Sequence, residues 1–160
     1  MHAEGDEHPE LPVDSDVERV RLTDLRLPHR RPALVGLVFV GGVTGTLARW
    51  GTGLLVPHAA RLPLATFAVN VVGAFVLGAL LAHLAGRGPD EGRRRALRVG
   101  VGTGFCGGFT TYSALANDTS VLLNGQLVGH ALAYALGTVV LGLAASAFGI
   151  AAGRRLGARA

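Results

Sequence analysis

Polarity along the chain changes abruptly near residue 32. Residues 1–32 mix charges of both signs with Pro9, Pro12, Pro28 and Pro32, and beyond them the sequence runs apolar in long stretches. A polar, proline-bearing start predicts a mostly disordered tail, with room for a short amphipathic turn around Val17–Leu27. The tail carries acids and no early apolar core, so it does not read as a signal peptide. Four hydrophobic segments follow: about Ala33–Val56, closed by Pro57; about Pro63–Ala85, closed by Gly86 and Gly88; about Ala96–Leu123; and about Leu127–Ala152, followed by Arg154 and Arg155. A helix crossing roughly 30 Å of hydrocarbon needs roughly 20 mostly apolar residues, and each segment meets that. Helices of a soluble bundle would each keep a polar stripe, whereas these are apolar all round. The pattern predicts an all-α membrane protein with four transmembrane helices in residues 33–153, a tail at 1–32 and a short basic tail at 154–160.

Charge adds an orientation. The 160 residues include no lysine and fifteen arginines. Arg19, Arg21, Arg26, Arg30 and Arg31 precede the first segment, Arg87, Arg93, Arg94, Arg95 and Arg98 separate the second from the third, and Arg154, Arg155 and Arg159 follow the fourth. The opposite ends hold only Arg61, with Arg49 inside the first segment. Thirteen against two places both termini in the cytoplasm, in a multi-pass protein of the inner (plasma) membrane. A pI near 10.5 would also suit nucleic acid. The cations, however, flank apolar runs without interleaved aromatics, so the expected partner is the lipid bilayer and not nucleic acid. The single cysteine, Cys106, excludes an internal disulfide.

Polar groups inside a membrane are costly without partners, so each is a candidate for function. The stretch "GFCGGFTTYSAL" at 104–115 poses the sharpest case. Gly100, Gly102, Gly104, Gly107 and Gly108 weaken the helix, and irregular backbone survives in lipid only inside protein or along a wet cavity. A break there would free carbonyls for a small hard cation. It would also start a new helix, capped by Thr110 or Thr111, whose N-terminal end favours an anion. The same glycines also suit a tight crossing of packed helices.

Thr66, Asn70, Gly73 and Leu77 fall on one face of the second segment. Asn70 offers either a neutral donor to a passing anion or a bridge between helices. Arg49, beside Trp50, reads as an interfacial anchor, an anion-attracting charge at a pore vestibule, or a tie between subunits. Tyr134, Gly137, Leu141 and Ala145 share a face of the fourth segment. Its glycines at 137, 142, 149 and 153 permit close helix approach, and Tyr134 can set its hydroxyl against a neighbouring helix. Asp118, the only acid within a segment, reads as a polar contact near the segment's end. His83 and His130 stand alone near segment ends and read as interfacial.

Three motifs in order, "GGVTGTLARW" at 41–50, "TFAVNVVGAFVLG" at 66–78 and "GFCGGFTTYSAL" at 104–115, resemble the Fluc (CrcB-type) fluoride channels over about residues 34–153. The resemblance implies an antiparallel dimer with two fluoride pathways along the subunit interface and a central structural sodium ion. By position, the backbone carbonyls of Gly107 and Thr110 would hold the sodium. Asn70, Tyr112, Ser113 and Leu115 would line the pore. Arg49, Gly73, Thr111 and Tyr134 would serve structural or vestibule roles.

The family usually has Phe-Ser-Thr-Phe after the threonine pair, where this chain has Tyr112, Ser113, Ala114 and Leu115. Tyr112 keeps an aromatic edge for an anion and Leu115 has none. A chain that inserts both ways also needs balanced flanking charge, and thirteen arginines against two are not balanced. The sequence therefore predicts one half of a heterodimer, completed by a homologous subunit of opposite orientation.

Two other functions compete with passive fluoride export. A proton-coupled exporter of cationic compounds needs a membrane-buried carboxylate, and none occurs from Leu34 to Pro89. A non-transporting scaffold would use Asn70 for packing only. An enzyme is not expected, since no nucleophile, base or metal-ligand cluster stands at working spacing.

Overall fold

A computed structural model describes residues 31–56 and 62–157. The expected tail up to residue 30, residues 57–61 with Pro57 and Arg61, and Arg159 lie outside the described residues. Among the described residues every regular element is helical: α1 (Pro32–Leu55), α2 (Leu64–Ala85), α3 (Gly92–Leu97), a π-helical stretch (Arg98–Cys106), α4 (Gly107–Phe109), α5 (Tyr112–Asn124) and α6 (Val128–Gly157). Pro32 opens α1, where its fixed φ suits a helix start and its missing N–H costs nothing. Helices α1, α2 and α6, of 24, 22 and 30 residues, are long and apolar enough to cross a membrane. The third segment begins at Gly92, before the expected Ala96, so Arg93, Arg94 and Arg95 are already helical.

Large apolar side chains point outward. Leu55 is 84% exposed, Phe39 and Phe148 71% each, while the buried set is small and includes Val69, Leu84, Cys106, Leu122 and Ala131. In water such a surface would be untenable for a monomer, whereas lipid solvates it.

The interior is built by backbone approach at glycines. A Cβ on Gly41 would collide with the Gly100 carbonyl, and one on Gly45 with the Phe105 carbonyl, so α1 and the π stretch run parallel in contact. Gly149 and Gly153 of α6 meet the carbonyls of Phe75 and Ala79 in the same way, making α2 and α6 a second parallel pair. Gly102 faces Leu77 and Leu80 while Gly73 faces Thr110, so α2 runs antiparallel to the third segment. Gly137 and Gly142, expected to bring helices together, meet nothing within 4 Å in this chain.

A Schellman-type turn reverses the chain between α5 and α6. Gln126 adopts φ 60°, its N–H donates to Leu123 O (3.0 Å), and the Leu127 N–H donates to Leu122 O (2.9 Å). Leu127 packs against the buried cluster of Leu122, Ala131 and Tyr134, which pins the start of α6 to α5.

Candidate functional site

The glycines do not themselves break the third segment. Gly100, Gly102 and Gly104 lie within the π-helical stretch, where Gly102 and Gly104 are buried against neighbouring helices. The break lies just beyond them. Thr110 (φ −82°, ψ 160°) and Thr111 (φ −154°, ψ 124°) are both extended. Each threonine serves one side. The Thr110 N–H (2.9 Å) and Oγ1 (2.8 Å) both donate to Cys106 O, closing the first half. Thr111 Oγ1 accepts from the Ala114 N–H (3.1 Å), an N-cap that starts α5, and lies 3.1 Å from Ser113 Oγ.

Asn70 holds the break from α2. The Thr111 N–H donates to its Oδ1 (2.8 Å) and its Nδ2 donates to Thr111 O (3.0 Å). The side-chain amide thus replaces the peptide partner that an unbroken helix would have given Thr111, and in lipid an unreplaced partner costs several kcal/mol. Gly73, one turn on, is buried, and a Cβ there would collide with the Thr110 methyl group. From the other side Arg49 Nε donates to Gly108 O (3.1 Å). The contact Arg49 makes within this chain is structural, a strut under the break.

Two carbonyls are left without their helical donors. Gly107 O would pair with the Thr111 N–H, which goes to Asn70, and Thr110 O with the Ala114 N–H, which goes to Thr111 Oγ1. Both residues line a groove of about 660 Å³ that is open along one side. Asn70, Gly73, Thr111, Tyr112 and Leu115 line it too, with Thr103, Thr138 and Arg98. One N–H of the Asn70 amide is committed to Thr111 O, leaving the second available to the groove. At the Arg98 end, Arg98 Nη2 donates to Asp90 Oδ2 (2.6 Å), and this bond holds the Asp90 carboxyl below its usual range.

Not every expected residue joins this groove. Ser113 sits beside it, at the Thr111 hydroxyl. Thr66 lines a second groove with Arg49, Trp50 and Thr111, although it shares a helix face with Asn70 in sequence. Tyr134 is only 5% exposed, and its hydroxyl donates to Asp118 Oδ2 (3.1 Å), tying α6 to α5. Phe105 stacks on Phe109 at 5.5 Å and lines a different groove, against α1. Tyr112 is 82% exposed, so its ring stands clear of this chain.

Other polar residues were not picked out in the sequence. Thr138 follows Tyr134 by one helical turn, is buried, and donates to Tyr134 O (2.7 Å). Asn117, Ser120 and Asn124 continue from Ser113, itself expected at the pore, as an exposed polar stripe on α5 at helical spacing.

Loss of the Arg49 strut should be measurable. Arg49→Ala is expected to lower the thermal midpoint of the detergent-solubilised protein, reflecting about 1.5–3 kcal/mol for a hydrogen bond to a charged group. Arg49→Lys should recover only part of this, lacking the guanidinium fork. An unchanged midpoint in Arg49→Ala would reduce the residue to a headgroup anchor.

The family described as "CrcB-like protein, Camphor Resistance (CrcB)" matches residues 36–150. The chain is 53% identical over 131 residues to "Fluoride-specific ion channel FluC 2" of Leifsonia xyli subsp. xyli, covering 82% of this chain and 89% of that protein. It is 50% identical over 115 residues to "Fluoride-specific ion channel FluC 1" of Cutibacterium acnes, covering 71% and 80%. It is 43% identical over 123 residues to "Fluoride-specific ion channel FluC" of Gloeobacter violaceus, covering 75% and 95%. With three membrane-length apolar helices and an inside-out distribution of side chains, this multi-pass membrane protein belongs to the CrcB-like family.

Proposed function

We propose that this chain is a subunit of a fluoride channel that lets cytoplasmic fluoride leave passively, down its gradient. The observation that carries the reading is the two-way hydrogen bond between Asn70 and Thr111, which holds a helix open beside a groove lined by neutral donors. The printed names of the similar proteins agree with it. A small, strongly hydrated anion needs replacement donors that bind it weakly enough to let go. The free Asn70 N–H and the hydroxyls of Ser113 and Tyr112 supply these, along with the positive ring edge of Tyr112. The polar stripe on α5 extends the wettable wall beyond them.

The same reading makes the chain from Gly92 to Asn124 a fourth, broken crossing, within a channel domain at 33–153 flanked by tails at 1–32 and 154–160. Both termini lie in the cytoplasm and the bilayer is the inner (plasma) membrane. The groove is open along one side and Tyr112 projects from the chain, features that suit completion by an antiparallel partner. Gly107 and Thr110 fit a sodium site at the centre of such a dimer. Their carbonyls are relieved of helical donors, and nothing lies within 4 Å of where a Gly107 side chain would start. Bound there, sodium would supply a fixed positive charge joining the two subunits.

The arginine bias and Leu115 favour a heterodimer, whose partner is a related subunit of opposite bias that brings the missing aromatic ring. Liposomes carrying this chain alone should release little fluoride, and liposomes carrying it with such a partner should release it rapidly. Robust release by the lone chain, found in both orientations, would defeat the heterodimer and leave the channel standing. No release from either preparation would defeat the channel. A proton-coupled exporter gains nothing from the fold, because Asp118 is engaged by Tyr134.

A further inference from the structure

A third groove, the one lined by Phe105 between α1 and the π-helical stretch, takes no part in the proposed ion path. It encloses about 580 Å³, and its walls are apolar: Leu37, Val40, Val101 and Phe105 line it, with Gly41 and Gly100 between them. It holds no polar constellation for a small ion. Arg93 also lines it.

Arg93 differs from its neighbours. Arg94 Nε donates to Pro89 O (2.8 Å), Arg95 Nε to Asp90 O (2.9 Å), and Arg98 to the Asp90 carboxylate (2.6 Å). Arg93 is exposed and makes no hydrogen bond or ion pair among the described residues. The one acid on this loop that pairs with arginine is thus already shared by Arg95 and Arg98. An unpaired guanidinium beside an apolar trough, on the arginine-rich side of the protein, calls for a ligand with a phosphate at one end and a hydrocarbon chain at the other.

We propose that this groove binds one anionic phospholipid, its phosphate on Arg93 and an acyl chain along Leu37, Val40, Val101 and Phe105. The site is independent of ion conduction. Phosphatidylglycerol and phosphatidylcholine share their acyl chains and differ in charge, so they separate the two halves of the claim.

The test is native mass spectrometry of the full-length protein released from micelles containing equal amounts of both lipids. Phosphatidylglycerol should be retained about five-fold over phosphatidylcholine, the scale of one basic side chain against anionic lipid. Arg93→Gln should remove that preference without changing the lipid-free thermal midpoint. Gly100→Leu should lower retention of both lipids by filling the trough. A Cβ at Gly100 meets Leu37 at 3.7 Å, an ordinary van der Waals contact, and the thermal midpoint of Gly100→Leu checks that the fold is kept. Equal retention of the two lipids by the wild-type protein, or an undiminished preference in Arg93→Gln, would overturn the proposal. So would a preference that inorganic phosphate removes and Gly100→Leu leaves intact, since the groove would then have no part in it.

Discussion

Asn70→Ala is expected to cut fluoride efflux at least about 5-fold while α1, α2 and α6 stay assembled. The substitution strands the Thr111 N–H at a part-buried position, while the Thr111 carbonyl keeps the first intrahelical bond of α5. A stranded group of this kind costs about 1–3 kcal/mol. At about 1.4 kcal/mol per factor of ten, the open arrangement at Thr110 and Thr111 loses at least about 5-fold in population. Asn70→Asp separates holding from conducting. Its carboxylate can still accept from the Thr111 N–H, but it cannot donate to Thr111 O, and it sets a negative charge against an anion in the groove. Efflux should therefore fall at least as far in Asn70→Asp as in Asn70→Ala. A fluoride electrode reads efflux, and circular dichroism checks that helix content is kept. Wild-type efflux from Asn70→Ala would reduce Asn70 to a bridge between helices.

Gly45→Val should leave no assembled protein. A side chain at Gly45 would collide with the Phe105 carbonyl and stand 2.9 Å from the Phe109 N, and both are backbone atoms that cannot swing away. Helix α1 would have to leave the third segment, taking Arg49 off Gly108 and uncovering the backbone before the break. Overpacking a well-packed site costs about 1–3 kcal/mol or more, and here the obstruction is main chain. Gly53→Ala is the control. It lies two turns further along the same helix, where nothing stands within 4 Å, and should be neutral. The readout is the monodisperse yield from size-exclusion chromatography in detergent. Normal yield from Gly45→Val would mean that α1 does not pack where the structure has it.

The helical class, three long apolar helices and a break in the third segment were legible because lipid leaves so few options, whereas the third segment starts at Gly92, four residues before the expected Ala96. The mechanism of the break was not legible. The glycines of the third segment read as the unwinding element, yet Gly104 serves as a contact surface for α1, and two threonines with a neighbouring asparagine make the opening. Helical spacing put Thr66 and Asn70 on one face. It could not say that the third segment would lie between them, sending Thr66 to the Arg49 side. Tyr134 was legible as a hydroxyl against a neighbouring helix, but only folding chose Asp118 as its acceptor. The π-helical turns at Arg98–Cys106, a rare form that lies against α1 and α2, were not read from the sequence.

The most direct test of passive conduction is a fluoride-electrode record of efflux. Liposomes would hold this chain with a partner of opposite arginine bias, loaded with fluoride and chloride and bearing no proton gradient. Opening a potassium pathway with valinomycin should release fluoride promptly and retain chloride, with no change when a protonophore is present. Chloride leaving alongside fluoride, or fluoride held back until a proton gradient is imposed, would contradict the account.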